Sequence, residues 1–299
     1  MSCCAVIVTF YPDSSITENI LALYGQTDEI IIIDNSSGEE CNKVLQNLSQ
    51  KIGITVTYNK ENVGIAAALN IGIKKAKAHN HEWVITFDQD STVTPRMIET
   101  MFKAYQAYPE KEKVASLSPK YMNRNTGVIW GSQLTRALDN SLPYSLVDVV
   151  ITSGTLVKLS VFDQIGYFNE SLFIDYVDKE FCLRCITQNY QILEVNNATL
   201  LHSVGLPTKV NLFLNNSITT ANHSHTRRYY IARNSIFTYK LYFFKMPFWF
   251  LNDIYHLIGT LGKGLVFENN RKKRLIAIFL GFYDGFLNRM GKCTREHLF

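Results

Sequence analysis

The sequence predicts an α/β fold built on a doubly wound, mainly parallel sheet with helices on both faces. Apolar, β-rich runs alternate with amphipathic stretches throughout residues 4–108, which is the pattern that successive βα units produce. Polar side chains directly follow two of the runs, with Asp34 and Asn35 after the second and Asp88 to Asp90 after the fourth. Open α/β sheets bind ligands at the carboxyl ends of their strands. We therefore expect a ligand site where these polar residues meet.

The first half of the chain is predicted to contain four βα units joined by right-handed crossovers. The strands are unbroken apolar runs, as in sheets that are buried on both faces, and they cover residues 4–10, 29–33, 55–58 and 83–87. The helices that follow them are predicted over residues 15–23, 39–52, 65–78 and 95–108. The third helix is alanine-rich and ends in lysines, which suit the negative end of a helix dipole.

Beyond residue 110 the pattern becomes irregular, with strands separated by long loops. Strands are predicted over residues 114–118, 127–130, 147–152 and 191–195, and helices over residues 156–165 and 178–188. From about residue 227, aromatic and basic residues recur at helical spacing. This recurrence predicts a helical C-terminal region that includes residues 237–258.

The 299-residue chain is 46% hydrophobic and 19% charged, values typical of globular rather than disordered protein. Its net charge of +4 is unevenly distributed. Residues 227–299 contain thirteen Lys and Arg against four Asp and Glu, whereas residues 1–226 contain seventeen against twenty-two. We expect a membrane surface or a second copy of the chain in a homodimer, and no nucleic acid, as the partner of this basic, aromatic region.

The cysteines and the hydropathy of the chain indicate where in the cell the protein is located. The six cysteines are scattered, and Cys182 and Cys185 form a single pair without a second pair at zinc-finger spacing. We expect inert thiols, a cytosolic location and no secretory signal. The apolar stretches 235–251 and 275–287 are too interrupted or too short for a span of about 20 residues. Beside the basic run 271–274, they are predicted to lie peripherally on the inner face of the cell membrane.

Asp88 and Asp90 stand one residue apart at the exit of a buried strand. Two carboxylates at this spacing can bind one hard divalent cation, and Mg²⁺ or Mn²⁺ would in turn hold a diphosphate. Asp34 occupies the place where an acid bonds ribose in dinucleotide folds, with a helix-capping role as the alternative. Asn62 and Gly64 open a helix, whose N-terminus favours phosphate, although a plain turn uses the same residues.

Eight short motifs occur in order along the chain. They are Val8-Thr9-Phe10-Tyr11, Ile33-Asp34-Asn35-Ser36, Asn62-Val63-Gly64-Ile65-Ala66, Phe87-Asp88-Gln89-Asp90-Ser91, Thr152-Ser153-Gly154, Phe173-Ile174-Asp175-Tyr176-Val177-Asp178-Lys179-Glu180, His202-Ser203-Val204-Gly205 and Arg228-Tyr229-Tyr230-Ile231-Ala232-Arg233-Asn234. Over residues 4–235 this set resembles the family-2 glycosyltransferases with the GT-A fold. Within that family it is most similar to the bacterial dTDP-rhamnose-dependent rhamnosyltransferases of O-antigen and other surface-polysaccharide synthesis.

The resemblance implies that Asp88 and Asp90 form the family's DxD element. In that element the second carboxylate, here Asp90, binds the metal on the donor diphosphate, while Asp88 lies near the donor sugar. His202 is then a further metal ligand or a phosphate contact, with a structural histidine as the alternative.

The acidic segment around residue 178 is expected to hold the general base, which takes a proton from the acceptor hydroxyl. Matching the family's usual Glu-Asp pair assigns this role to Asp178. The preceding glutamate of the family is Val177 in this chain. Asp175 is therefore the second candidate for the base.

Residues of several motifs are expected to contact the nucleotide sugar. The predicted set is Thr9, Tyr11, Asp34, Asn62, Gly64, Asp88, Gln89, Arg228 and Arg233. Tyr11 is expected to stack on the base, with packing against the protein as the alternative. Arg228 and Arg233 are expected to bind phosphate, with a basic helix face as the alternative. The segment from His223 to His225 is expected in a solvent-exposed loop.

The resemblance implies an inverting transfer of L-rhamnose from dTDP-rhamnose to a lipid-linked saccharide, with Mg²⁺ or Mn²⁺ as the cofactor. Another nucleotide sugar, such as UDP-galactose or UDP-N-acetylglucosamine, is the alternative donor. The GT-A catalytic domain is expected over residues 1–226, with a nucleotide-binding half over about 1–110 and an acceptor half over about 111–226. The helical appendage then covers residues 227–299.

Two other classes of function fit some of the residues. Asp88-x-Asp90-x-Thr92 after an apolar strand also matches the nucleophile motif of haloacid-dehalogenase-type phosphatases, in which Asp88 is phosphorylated. Asp175 and Asp178 would then bind Mg²⁺. That fold opens with the nucleophile strand, whereas three βα units precede Asp88 here. An inactive membrane scaffold is disfavoured because the acidic residues are all present.

Overall fold

The computed structural model describes residues 1–124, 126–132, 135–137, 142–202, 208–211, 217–220 and 223–299. The chain groups into two compact units. A sheet unit comprises Met1–Glu170 and Asp178–Ser203, and a helical unit comprises Ser171–Val177 and Val204–Phe299. The division predicted at residue 227 falls inside the helical unit.

The first half of the sheet unit has the predicted alternation of strands and helices. Its first four strands are β1 (Cys3–Thr9), β2 (Glu29–Asp34), β3 (Thr55–Tyr58) and β4 (Trp83–Asp88). The short strand β5 (Ser91–Val93) follows, and the helices are α1 (Ile16–Leu23), α2 (Glu39–Ile52), α3 (Ile65–Ala78) and α4 (Met97–Ala107). The first four strands pair in parallel in the order β3-β2-β1-β4, which confirms the predicted βα units.

The second half makes the sheet mixed. Its strands are β6 (Val114–Asn123), β7 (Ile129–Trp130), β8 (Thr135–Ala137), β9 (Tyr144–Val147), β10 (Thr155–Lys158) and β11 (Gln191–His202). Its helices are α5 (Leu159–Ile165) and α6 (Val177–Thr187). β10 is antiparallel to both β4 and β6, whereas β11 is parallel to β6. The predicted class, a mixed sheet flanked by helices, is confirmed.

Two predicted elements of this half are wrong. Residues 156–165 were expected to form one helix, but β10 occupies the first part and α5 begins at Leu159. Because β10 lies between two strands, its apolar residues are buried by the sheet, and periodicity alone does not separate such a run from a buried helix. The strand expected over 147–152 lies earlier, since β9 ends at Val147.

The helical unit contains, among its described residues, the helices α7 (His225–Tyr242), α8 (Pro247–Phe267) and α9 (Arg271–Phe286). The strands β12 (Thr208–Asn211) and β13 (Ser217–Thr220) pair antiparallel. The helix predicted over 237–258 is interrupted before Pro247, because proline suits the first turn of a helix but not its interior. Within the described part of the chain, no helix has the length and apolar character that crossing a bilayer requires.

Glycines allow α7 and α9 to approach closely. A Cβ atom on Gly281 would lie 2.4 Å from the backbone oxygen of Tyr229, and one on Gly285 would lie 2.4 Å from that of Arg233. Real Cβ atoms do not approach backbone this closely, so both positions depend on the missing side chain. The hydroxyl of Tyr229 also donates a hydrogen bond of 2.7 Å to Asp284, joining the same two helices.

We expect Gly281→Ala to lower the free energy of unfolding by about 1–3 kcal/mol, because the added methyl group overpacks the α7–α9 contact. Gly262→Ala in α8 is the matched control, since nothing lies within 4 Å of its Cβ position. There the exchange should be neutral or stabilise the helix by up to about 1 kcal/mol. Urea denaturation measures both variants, and equal stabilities would contradict the close packing of α7 on α9.

Candidate active site

The carboxyl ends of β1, β2 and β4 lie side by side at one edge of the sheet. In the parallel ladders Thr9 pairs with Asp34, and Val8 pairs with Asp88. The three strands therefore end at nearly the same level. Thr9, Asp34 and Asp88 are brought to this edge, as the strand pattern predicted.

Asp88, Asp90 and His202 form a group of potential metal ligands. One ligand atom from each lies within 4.8 Å of the other two. The antiparallel pairing of β5 with β11 sets His202 opposite Ser91, and Ser91 Oγ lies 2.9 Å from His202 Nδ1. Carboxylates suit Mg²⁺ and Mn²⁺, and an imidazole is also acceptable to Mn²⁺. The residues present thus fit a divalent cation.

Ser153 ties this group to the sheet. Its Oγ accepts a hydrogen bond of 3.1 Å from the backbone N of Asp88 and lies 2.7 Å from Ser91 Oγ. The next residue, Gly154, has a φ of +77°, and a Cβ atom there would lie 2.8 Å from Leu200. Only glycine suits both conditions. This segment is one of the eight sequence motifs, but its pattern predicted no role for Ser153.

Phe10 and Tyr11 follow β1 with exposed rings. Tyr11 is 62% exposed, and its ring meets that of Phe10 edge-on with centroids 4.7 Å apart. Gln89 Oε1 accepts a hydrogen bond of 2.7 Å from the backbone N of Phe10, and Ser37 Oγ accepts one of 2.8 Å from that of Tyr11. Gln89 therefore holds the loop that presents the Tyr11 ring to solvent.

The carboxylate of Asp34 is hydrogen-bonded within the protein. The residue is 1% exposed. It accepts hydrogen bonds from Thr9 Oγ1 at 2.9 Å, from the backbone N of Ser37 at 2.9 Å, and from Ser37 Oγ. These bonds join the ends of β1 and β2 to the turn before α2, whose N-cap is Gly38 rather than Asp34. The nucleotide contacts of Thr9 and Asp34 stay predictions.

Asn62 shapes the turn that opens α3. Its Oδ1 accepts hydrogen bonds of 2.9 Å from Asn35 Nδ2 and from the backbone N of Gly64. Gly64 is the N-cap of α3 and has a φ of +86°, a conformation that glycine adopts without steric cost. Asn35, a residue of the motif series without a predicted role, thus links this turn to the end of β2.

Asp178 belongs to the sheet unit and lies in the first turn of α6. Its Oδ1 accepts a hydrogen bond of 2.8 Å from the backbone N of Lys179. Asp178 also lines a cavity of about 10 Å³ together with Thr86 and Thr152, a volume that suits a single water molecule. Thr86 belongs to β4, so the predicted base and the DxD strand border one small cavity.

Asp175 belongs to the helical unit, where its Oδ1 lies 2.6 Å from Nη2 of Arg227. The backbone around it is strained. Phe173, Asp175 and Tyr176 have φ values of +65°, +62° and +64°. Residues other than glycine rarely adopt such positive φ values. Such strain persists only where the surroundings enforce it.

Asn234 and Arg233 enforce the conformation of this segment. Asn234 Nδ2 donates to the backbone oxygens of residues 172, 174 and 175 at 2.8–2.9 Å. Arg233 Nη2 donates to the backbone oxygen of Leu172 at 2.9 Å. Arg233 is buried, and its guanidinium group binds backbone oxygens. Its predicted contact with phosphate stays a prediction.

Arg228 also has its partners within the helical unit, and its predicted phosphate contact stays a prediction. Arg228 is buried, and its Nη2 lies 2.9 Å from Oε1 of Glu268. Arg274 Nη1 lies 2.6 Å from Oε2 of the same carboxylate. Removing one partner of a buried ion pair is strongly destabilising, because it leaves an unpaired charge in the protein interior. Arg228 therefore stabilises the helical unit.

The segment from His223 to His225 is not the exposed loop that was expected. His225 begins α7, and Ser224 caps this helix by accepting a hydrogen bond of 3.2 Å from the backbone N of Arg227. Burial lowers the pKa of His223 to about 4, and the charge of Arg227 adds to the decrease. Of the seventh motif, the residues 203–205 lie outside the described part of the chain.

The six cysteines are free thiols. Burial raises the pKa of Cys182 to about 12 and that of Cys185 well above its usual value. Neither thiol is a nucleophile at neutral pH, since the thiolate is the reactive form.

The comparison with protein families agrees with this fold. The family described as glycosyl transferase family 2 matches residues 4–166, which is more than half of the chain. The chain therefore belongs to glycosyl transferase family 2 and is a glycosyltransferase.

Two characterised relatives extend the match beyond the family region. The dTDP-rhamnosyl transferase RfbF of Shigella flexneri is 29% identical over 241 residues, which cover 77% of each chain. The low-salt glycan biosynthesis hexosyltransferase Agl10 of Haloferax volcanii is 25% identical over 97% of this chain and 93% of its own length.

Solved structures share the fold at low sequence identity. The 1–349 fragment of S. aureus TarS matches with a TM-score of 0.61 and 15% identity, covering 97% of this chain and 82% of that one. GalNAc-T7, solved with UDP, GalNAc and Mn²⁺, also matches with a TM-score of 0.61, at 16% identity over 96% of this chain and 56% of that one. At such identities the likeness concerns the fold alone.

Proposed function

We propose that this glycosyltransferase is a metal-dependent, inverting enzyme that transfers L-rhamnose from dTDP-rhamnose to a lipid-linked saccharide in surface-polysaccharide synthesis. The observation that carries the proposal is the group formed by Asp88, Asp90 and His202 at the carboxyl end of β4. The choice of donor is supported by the similarity to a dTDP-rhamnosyl transferase. Another nucleotide sugar, such as UDP-galactose or UDP-N-acetylglucosamine, is the alternative donor.

Asp90, Asp88 and His202 would hold the cation, Mg²⁺ or Mn²⁺. Once bound there, it supplies positive charge that offsets the diphosphate of the departing nucleotide. Ser91 orients the ring of His202 through the 2.9 Å contact with Nδ1, as partners of metal-binding histidines commonly do. Ser153 fixes the backbone at Asp88 and contacts Ser91, so the ligand residues are held before any donor binds.

The donor nucleotide would lie along the same edge of the sheet. The exposed ring of Tyr11 is available for stacking on the base. Thr9 and Asp34 form the buried wall beneath it, and Asn62 with Gly64 directs the N-terminus of α3 toward this edge, where it favours phosphate.

Asp178 is the proposed general base. It takes the proton of the acceptor hydroxyl while that oxygen bonds to the anomeric carbon and the bond from this carbon to the diphosphate oxygen breaks. A single displacement inverts the anomeric configuration and needs no covalent intermediate. Asp175 is the second candidate, but its carboxylate already pairs with Arg227. The phosphatase alternative is not retained, because the chain belongs to a glycosyltransferase family.

The proposal is tested by incubating the chelator-treated enzyme with a panel of nucleotide sugars and a lipid-linked saccharide acceptor, with and without Mn²⁺ or Mg²⁺. We expect release of dTDP from dTDP-rhamnose that requires the cation, because the diphosphate needs its charge offset. Asp90→Ala should lose this metal-dependent release. Asp163→Asn, a change at a carboxylate half exposed on the surface, serves as the control and should keep it.

Turnover of a UDP-sugar but not of dTDP-rhamnose would show that the donor is a UDP-sugar. Metal-stimulated release that Asp90→Ala leaves unchanged would contradict the ligand role of Asp90.

We expect Asp178→Asn to bind the donor normally but to reduce the rate of transfer by about 100- to 10,000-fold, the usual contribution of a general base. The amide keeps an oxygen that can accept the hydrogen bond from Lys179, so the local fold should persist. Calorimetric titration with the donor and single-turnover kinetics separate binding from transfer. Asp175→Asn is the comparison variant. If it abolishes transfer while Asp178→Asn does not, Asp175 is the base.

The helical unit is proposed to lie on the inner face of the cell membrane. Exposed apolar side chains recur along one face of α8 at helical spacing: Phe248, Leu251, Tyr255 and Ile258. On α9 another exposed apolar set is formed by Leu275, Phe279, Tyr283 and Phe286. The exposed basic residues 271–273 precede the second set. Apolar side chains next to basic ones suit the surface of an anionic bilayer.

We expect the chain to float with vesicles that contain anionic lipid, and less with zwitterionic vesicles or in high salt. The double variant Phe248→Ser with Phe279→Ser should lose most of this binding. The matched control replaces Val128 and Ile129, two exposed apolar residues of the sheet unit, by serine and should bind normally. The wild-type chain could instead fail to bind vesicles and form a dimer that the variant Phe248→Ser with Phe279→Ser dissociates. In that case a second subunit, rather than a membrane, covers the exposed apolar face of α8 and α9.

A further inference from the structure

A second group of potential metal ligands lies at the opposite edge of the sheet. The Sγ atom of Cys4, a carboxylate oxygen of Glu29 and a ring nitrogen of His81 all lie within 4.8 Å of one another. His79 Nδ1 lies 2.9 Å from Oε2 of the same glutamate, and so does His81 Nε2. We propose that Cys4, Glu29 and His81, with His79 beside them, form a structural site for a zinc-like divalent cation.

The fold brings these residues together through three different elements. Cys4 pairs with Glu29 in the parallel ladder of β1 and β2, and paired residues project from the same face of a sheet. Cys3 and Ala5 belong to the apolar core cluster whereas Cys4 does not, so Cys4 faces the other side. His79 is the C-cap of α3. Asn80 follows with a φ of +62° and reverses the chain, which brings both imidazoles to Glu29.

The chemistry of the group differs from that of the candidate active site. A thiolate, an imidazole and a carboxylate are the three ligand types that Zn²⁺ accepts in proteins. Asp88, Asp90 and His202 include no sulfur. Glu29 also lies near the C-terminus of α3, where the helix dipole favours positive charge. His81 is largely buried, and its Nδ1 has no hydrogen-bond partner within the described residues.

The two sites are separate. Cys4 is five residues before Thr9 on β1, which corresponds to about 16 Å along an extended strand. Burial holds the pKa of the metal-free Cys4 thiol above its usual range. Binding therefore exchanges the S–H bond for a sulfur–metal bond and releases one proton to the solvent. The ion would link β1, β2 and the α3–β4 connection, so its role is to stabilise the sheet rather than to take part in transfer.

Cobalt reports this site because Co²⁺ bound to a thiolate absorbs in the near ultraviolet, whereas Co²⁺ bound only to oxygen and nitrogen ligands lacks that band. The full chain, freed of metal with a chelator, should develop the band with one equivalent of Co²⁺ and lose it when Zn²⁺ is added. Zn²⁺ should also raise the melting temperature, because it binds the folded chain.

The variants discriminate between ligands and neighbours. Cys4→Ser should abolish the band and the Zn²⁺-dependent shift in melting temperature, and His81→Asn should weaken binding at least tenfold. Cys3→Ser is the matched control, since it changes the adjacent buried thiol on the opposite face, and it should leave both signals intact. Asp90→Ala should also leave them intact, which separates this site from the active site.

Circular dichroism and the melting temperature of the metal-free Cys4→Ser protein establish that it folds. The proposal is overturned if the wild-type chain shows no thiolate band with Co²⁺. It is equally overturned if the folded Cys4→Ser variant keeps the band.

Discussion

The parallel pairing of β1 with β2 on one side and with β4 on the other is the constraint on which the rest of the site depends. A parallel ladder aligns like ends of strands, so Asp34 and Asp88 share one edge while Glu29 and the residues before β4 share the other. The body of β1 is buried and apolar, as expected for a strand with neighbours on both sides. β1 therefore contributes to polar sites only at its two ends.

His202 arrives at the active-site edge through a pairing that no local pattern specifies. This strand was predicted to end at residue 195, before two asparagines that are typical of a turn. In the structure β11 continues past a register shift between Val195 and Thr199, and its end pairs with β5. The ends of β2 and β4 were predictable because the polar residues follow apolar runs directly. The partner of Ser91, His202, was expected here only through the family resemblance, because it lies 111 residues further along the chain.

Charge composition predicted the nature of the C-terminal region but not the partners of its arginines. A guanidinium group on a helix can face a phosphate or a carboxylate of its own protein, and the local sequence is the same in both cases. Arg228 pairs with the carboxylate of Glu268, which is 40 residues further along the chain. The glycines of α9 allow this helix to approach α7 closely, since a Cβ atom on Gly281 would lie 2.4 Å from the backbone oxygen of Tyr229. The family motif around Arg228 was therefore recognisable from the sequence, whereas the contact of Arg228 with Glu268 was not.

Asn234 and Arg233, two buried polar residues of α7, stabilise the strained backbone of residues 171–177. A residue other than glycine in the left-handed region costs about 1–3 kcal/mol, and this segment contains Phe173, Asp175 and Tyr176 in that region. Such backbone cannot form regular hydrogen bonds, and each buried oxygen left without a donor costs a further amount of about 1–3 kcal/mol. Asn234 supplies donors to three of these oxygens. Because the segment ends directly before Asp178, the Arg-Asn pair of the last motif holds the backbone that leads to the proposed base.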